Sequence, residues 1–133
     1  MNAAMQILQP PGWARAKGFS NGIAASGKLV FIAGQVGWTG EGEWKSRDFA
    51  GQFRQALANI LEVLAQANGK PEHIVRLTWY VLDKHEYLSS LKAVGHAYRE
   101  LMGRHYPTMA VVQVSGLVED EARLEIEATA VVP

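Results

Sequence analysis

At 133 residues, 48% hydrophobic and 20% charged, the chain suits a single domain (1–133) long enough to bury a core. Thirteen basic residues balance thirteen acidic ones, so no net field draws in nucleic acid or an anionic membrane, and neither is expected as a partner. With no cysteine, disulfides, zinc thiolate sites and a thiol nucleophile are excluded, and with no apolar run of about 18 residues a membrane-spanning helix is excluded too.

Residues 1–9 lack the charged start and the sustained apolar stretch of a secretory signal, so a cytoplasmic protein is expected. Residues 1–17 read as an extended N-terminal segment, in which Pro10-Pro11-Gly12 keeps the chain extended or turned and Trp13 is left to dock. Residues 20–25 and 28–33 read as a hairpin about Ala25-Ser26-Gly27-Lys28. Leu29, Val30, Phe31 and Ile32 are apolar in succession, as in a strand buried on both faces. Residues 34–43 form a glycine-rich loop with Trp38, a natural pocket rim.

The first helix is the clearest element. Phe49, Phe53, Ala56, Leu57, Ile60, Leu61 and Leu64 follow the spacing of one buried stripe; Ser46 or Asp48 can cap its start, and Gly69 and Pro71 mark its end. Residues 74–82 form a strand rich in β-branched and aromatic side chains. A second helix begins near Tyr87, buries Leu91, Val94, Tyr98 and Leu101, and stops at Gly103. Residues 109–115 and 122–132 are the closing strands, joined by Glu119-Asp120-Glu121.

The last strand alternates strictly. Ala122, Leu124, Ile126, Ala128 and Ala130 fall on one side; Arg123, Glu125, Glu127 and Thr129 fall on the other. Glu125 and Glu127 therefore project from one face, their Cα atoms roughly 6.5–7 Å apart. A carboxylate held on a rigid strand is a candidate general acid/base.

The order ββαβαββ gives a two-layer α+β domain with two helices on one face of a mixed sheet. The strands at 29–32 and 74–82 look apolar on both sides, so the uncovered face would be an exposed hydrophobic patch. Closed self-association through that face relieves it, and places residues such as Glu125 near subunit contacts.

Ala33-Gly34-Gln35, then Gln55-Ala56-Leu57 with Asn59-Ile60, then Tyr106-Pro107, then Glu125-Ile126-Glu127-Ala128 resemble the Rid family, also called YjgF or L-PSP, from about Gly18 to Val131. The resemblance implies a chorismate-mutase-like fold and a homotrimer with clefts between subunits. It also implies hydrolysis of reactive enamines and imines to keto acids and ammonia. In members with that activity, an arginine two residues after the proline clamps the substrate carboxylate. The first glutamate of Glu-Ile-Glu positions water or protonates the leaving nitrogen, and a tyrosine and a Ser-Gly pair complete the pocket.

Carried onto this chain, the glutamate is Glu125 and the glycine is Gly34. The tyrosine is replaced by Phe19, the serine by Ala33, the arginine by Met109, and a position often cysteine by Val111. A planar fork suited to carboxylate has become a flexible thioether, which marks a divergent branch with a more apolar cleft. Simple 2-imino acids should bind poorly unless another cation reaches the pocket; Lys17, Lys92, Arg104 and His105 are the candidates.

The histidines show no metal-ligand spacing, and Gly34, Gly37 and Gly40 lack the Lys-Ser/Thr of a phosphate loop, so no metal or cofactor is expected. His96 and Glu100 read as a surface pair, Trp79 as core, and Trp38 and Trp44 as candidates for ligand contact. Three functions stay open. The first is a hydrolase of the imine deaminase type, acting on a less acidic or bulkier imine, with Glu125 as acid/base. The second is a non-catalytic metabolite-binding trimer. The third is a ribonuclease, which the neutral charge disfavours.

Overall fold

The computed structural model describes residues 5–133, so the start of the expected extended segment, and of the stretch read for a signal, lies outside the described residues. Met5–Leu8 (β1) and Gly22–Ala25 (β2) pair antiparallel in a small sheet of their own, with Ile7 opposite Ile23. The hairpin expected about Gly27 is therefore replaced: β2 pairs with β1, while Lys28–Gln35 (β3) enters the main sheet. Gly27 sits between the two sheets at φ +148, and a Cβ there would collide with the Val132 carbonyl. The close approach of the chain's last strand, rather than a hairpin turn, requires glycine here.

The main sheet has four strands in the order β3, β6 (Leu124–Val132), β4 (Ile74–Val81), β5 (Thr108–Gln113). β6 is antiparallel to both neighbours, and β4 and β5 are parallel. That parallel pair needs a crossover, which the second helical segment supplies. On β6 the expected alternation holds: Leu124, Ile126, Ala128 and Ala130 are buried and Glu125, Glu127 and Thr129 face the open side.

Helix α1 (Phe49–Ala65) buries Phe49, Phe53, Ala56, Leu57, Ile60 and Leu64 against the sheet, with Phe53 stacked on Trp79 at 4.7 Å. Asp48 occupies its N-cap, but its carboxylate accepts the Ser46 hydroxyl at 2.5 Å instead of a helix N–H. That bond holds the Asp48 carboxyl below the usual carboxylate range. Gln52, fully buried, is the side chain that ties the layers together. Its amide nitrogen donates to the Glu121 carbonyl at 2.9 Å, and its oxygen accepts the Arg123 N–H at 2.8 Å. The entry of β6, two residues before Glu125, is thereby fixed to the helix.

The second helix is two pieces, α2 (Lys84–Ser89) and α3 (Leu91–Met102). Asp83 caps the first through the His85 N–H at 2.9 Å, so the helix begins at Lys84, ahead of the start near Tyr87 that the apolar spacing suggests. The break has a local cause: the hydroxyls of Ser89 and Ser90 both donate to the Glu86 carbonyl, competing with the backbone for it. α3 buries Val94, Ala97, Tyr98 and Met102, whereas Leu91, expected in the core, is 47% exposed.

The helices leave one sheet face open, but that face is not uniformly apolar. Arg76, Thr78 and Tyr80 of β4 alternate outward between the buried Leu77, Trp79 and Val81. The apolar exposure is concentrated at β3, with Leu29 60% and Phe31 75% exposed. None of the helices among the described residues is long and apolar enough to cross a membrane.

Candidate functional site

Two groups of side chains carry the chemistry, and they lie on opposite faces of the sheet. The first is on the open face. β3 slips against β6 between Ile32, opposite Ala128, and Gln35, opposite Ile126. Ala33 and Gly34 thus stand against Glu127 alone, a β-bulge of the kind that re-aims a strand beside functional residues. Gly34 lies directly beneath the Glu125 carboxylate: a Cβ there would overlap Oε2 and sit 2.9 Å from Cδ.

Glu125 and Glu127 are not equivalent. Tyr80 donates its phenol to Oε1 of Glu127 at 2.6 Å, and this bond pushes the Tyr80 phenol above its ordinary value. Glu125, half-buried opposite Tyr80 on the neighbouring strand, has no hydrogen-bond or ion-pair partner among the described residues. One carboxylate is committed to the sheet and the other is available to a ligand.

The second group lines a cavity of about 410 Å³ between α3 and β5, on the helix-covered side. Its floor is Trp79, Met109 and Val111; Met109 is opposite Leu77 in the sheet and Val111 is opposite Trp79. Phe19 closes one side, held there by its neighbour. Ser20 donates its hydroxyl to the Tyr106 carbonyl at 2.5 Å and its N–H to the Pro107 carbonyl at 3.0 Å. Tyr98 and Tyr106 stack with centroids 5.6 Å apart. Burial pushes the Tyr98 phenol up, and it stays neutral as donor to the His105 carbonyl.

The six residues carried by the family resemblance therefore divide. Phe19, Met109 and Val111 line the cavity under α3. Glu125 and Gly34 meet on the open face, with Ala33 beside them in the bulge. Glu125 stands two strands from β5 and Gly34 three, about 10 and 14 Å at ordinary strand spacing, with the sheet between. Within one subunit the two groups do not converge.

Among the candidate cations, Lys17 lines the cavity. Lys92 and Arg104 do not, and His105 donates its Nε2 to the Ile74 carbonyl at 2.6 Å. Arg99 was not singled out by the sequence, yet it lines the cavity too. The signal was there: Arg99 follows Leu91 and Gly95 at steps of four along α3. His96 and Glu100 do form an exposed pair, at 2.8 Å, alongside Arg54. Trp38 and Trp44, expected at a ligand, pack against each other at 5.8 Å, and Asn59 donates to the Trp38 carbonyl at 2.7 Å. Neither tryptophan borders the cavity holding Met109. Among the described residues no His, Asp or Glu cluster could hold a metal ion.

The Gly34–Glu125 contact yields a direct expectation. Gly34→Ala should displace the Glu125 carboxylate, the flexible end of a side chain, and leave the fold intact. The melting temperature should shift by only a few degrees, as about 1 kcal/mol of strain would produce, while any Glu125-dependent activity falls sharply. Equal activity in wild type and variant would show that the carboxylate's position does not matter.

Residues 12–132 match the family described as Endoribonuclease L-PSP. A RutC family protein from Pyrococcus horikoshii is 33% identical over 84% of this chain and 85% of its own length. The human 2-iminobutanoate/2-iminopropanoate deaminase is 29% identical over 78% of this chain and 73% of its own. Among solved structures, a Rid-family protein of unknown function from Yersinia pestis superposes with a TM-score of 0.85 at 31% identity, covering 97% of this chain and 99% of that one.

Proposed function

The chain belongs to the Rid (YjgF, Endoribonuclease L-PSP) family, and from that premise we propose that it hydrolyses a reactive imine or enamine metabolite, using Glu125 as acid/base in a site shared between subunits of a homotrimer. The observation that carries this reading is the uncommitted Glu125 carboxylate over Gly34, on the sheet face opposite the apolar cavity. The two groups can serve one ligand only if one subunit presents the glutamate and its neighbour presents the cavity. The exposed Leu29 and Phe31 on the same open face favour such an association.

The reaction balances with water alone. The water oxygen adds to the imine carbon as Glu125 takes its proton and passes one to nitrogen. The tetrahedral intermediate collapses as the C–N bond breaks, and ammonia and a carbonyl compound leave. Relatives named 2-iminobutanoate/2-iminopropanoate deaminase support this reaction class. Met109 in place of the arginine, with Phe19, Ala33 and Val111, argues for weak activity on those two small acids, because the β5 end of the cavity offers their carboxylate no guanidinium and their short side chains leave its apolar floor unfilled. Neither metal nor cofactor is required, and the cysteine-free chain suits the reducing cytoplasm.

Imines generated in situ by amino-acid oxidases, with ammonia release followed, test the chemistry. Acceleration of at least one imine supports the hydrolase. Binding of imines or their keto products without acceleration supports the alternative, a non-catalytic metabolite-binding trimer, which the loss of the arginine favours. The ribonuclease reading has less support, since Glu125 and Glu127 set carboxylates on the open face and the chain has no net positive charge. For assembly, light scattering should give about three times the 14.6 kDa chain mass. A monomer at micromolar concentration would remove the shared site.

A further inference from the structure

We propose that Arg99, assisted by Lys17, has taken over anion recognition in the cavity under α3, and that the cavity selects 2-imino acids with a large apolar side chain. The inference rests on the reading of that cavity as the substrate-binding half of the deaminase site, and it names the substrate class. Both cations border the cavity, and neither pairs with a carboxylate among the described residues, whereas Arg54 and Arg123 are committed to Glu100 and Glu86. Among the described residues no acidic side chain lines the cavity. A chain with no net charge thus borders this cavity with two positive side chains.

The helix is shaped for this arrangement. Gly95 sits in the middle of α3, where glycine costs about 1 kcal/mol relative to alanine. An added Cβ there would meet the Arg99 guanidinium at 3.7 Å, so that group lies back over the bare glycine beside the cavity. The floor beneath it is apolar, from Met109, Val111 and Phe19. Trp79, buried at 3% exposure, backs that floor. A ligand bearing a carboxylate next to a bulky apolar side chain answers both the cations and the apolar floor. Moving the positive charge from β5 to α3 frees the methionine end of the cavity for that side chain.

Phenylpyruvate, the stable keto product of such an imine, is the binding probe, with its methyl ester as the uncharged control. Calorimetry on the wild-type oligomer should show binding that Arg99→Met weakens about tenfold or more and Lys17→Met weakens less, as expected for losing a charge-assisted pair. The ester should bind wild type no better than the acid binds Arg99→Met. Both cations are exposed, so neither substitution threatens the fold. In turnover of the phenylalanine-derived imine, Arg99→Met should raise KM with little change in kcat. No binding of phenylpyruvate, ester binding equal to acid, or unchanged affinity in Arg99→Met overturns the proposal. Glu125-dependent hydrolysis with an unchanged KM in Arg99→Met would sink this inference and leave the deaminase reading standing. Arg99-dependent binding with no hydrolysis of any imine would do the reverse.

Discussion

Glu125→Gln should lower the rate of imine hydrolysis by about 10²-fold or more, the usual consequence of removing a general acid/base. Binding of the keto product should persist, because Gln keeps the shape and the cavity is untouched. Stability should hardly change, since Glu125 makes no bond among the described residues that the substitution could break. Glu127→Gln is the matched control on the same strand face. It weakens the bond from the Tyr80 phenol, and the Tyr80 titration, followed by ultraviolet absorbance, should move down toward the ordinary tyrosine value. Its effect on turnover should be small. Equal losses of rate at the two glutamates would mean that the carboxylate face acts as a unit and that Glu125 has no special role.

The difference between these glutamates was only half legible in the sequence. Alternation along β6 put both on one face, and the structure agrees. Which of them is free depends on Tyr80 reaching diagonally across from β4 and on a bulge opposite Glu127, both products of strand pairing that one strand's sequence does not encode. Long-range pairing explains the misplaced hairpin as well. The hairpin at Gly27 had the right local chemistry, yet β3 found its partner at the far end of the chain and β2 found β1. Gln52 and Asn59 sit on the buried stripe of α1, where spacing alone would ask for apolar residues. Their carbonyl partners lie in loops that only the fold brings near. What local pattern did fix was the helix stripe, the core side of β6 and the element types, because those depend on periods of 3.6 and 2 rather than on contacts. The proposed site was readable in the sequence only as candidate residues and not as a place, since the structure puts those residues on opposite faces of one sheet.

That separation leads to the most stringent expectation. Two variants, each nearly inactive alone, should restore activity when their subunits are mixed. Glu125→Gln keeps the cavity and loses the carboxylate. Gly95→Leu keeps the carboxylate but fills the cavity: its Cβ fits beside Arg99, the remaining side chain occupies the space above Met109 and Val111, and leucine favours the helix. Co-expressed with different tags and purified through both, the chains form only mixed trimers. In a ring with head-to-tail interfaces, each such trimer, whichever variant predominates, has one interface in three at which an intact cavity faces an intact Glu125, so about a third of wild-type activity should return. A site contained within one subunit predicts no recovery at any mixing ratio, because every chain then carries a defect in its own site. Recovery near a third would establish both the shared site and the pairing of the Glu125 face with the α3 cavity.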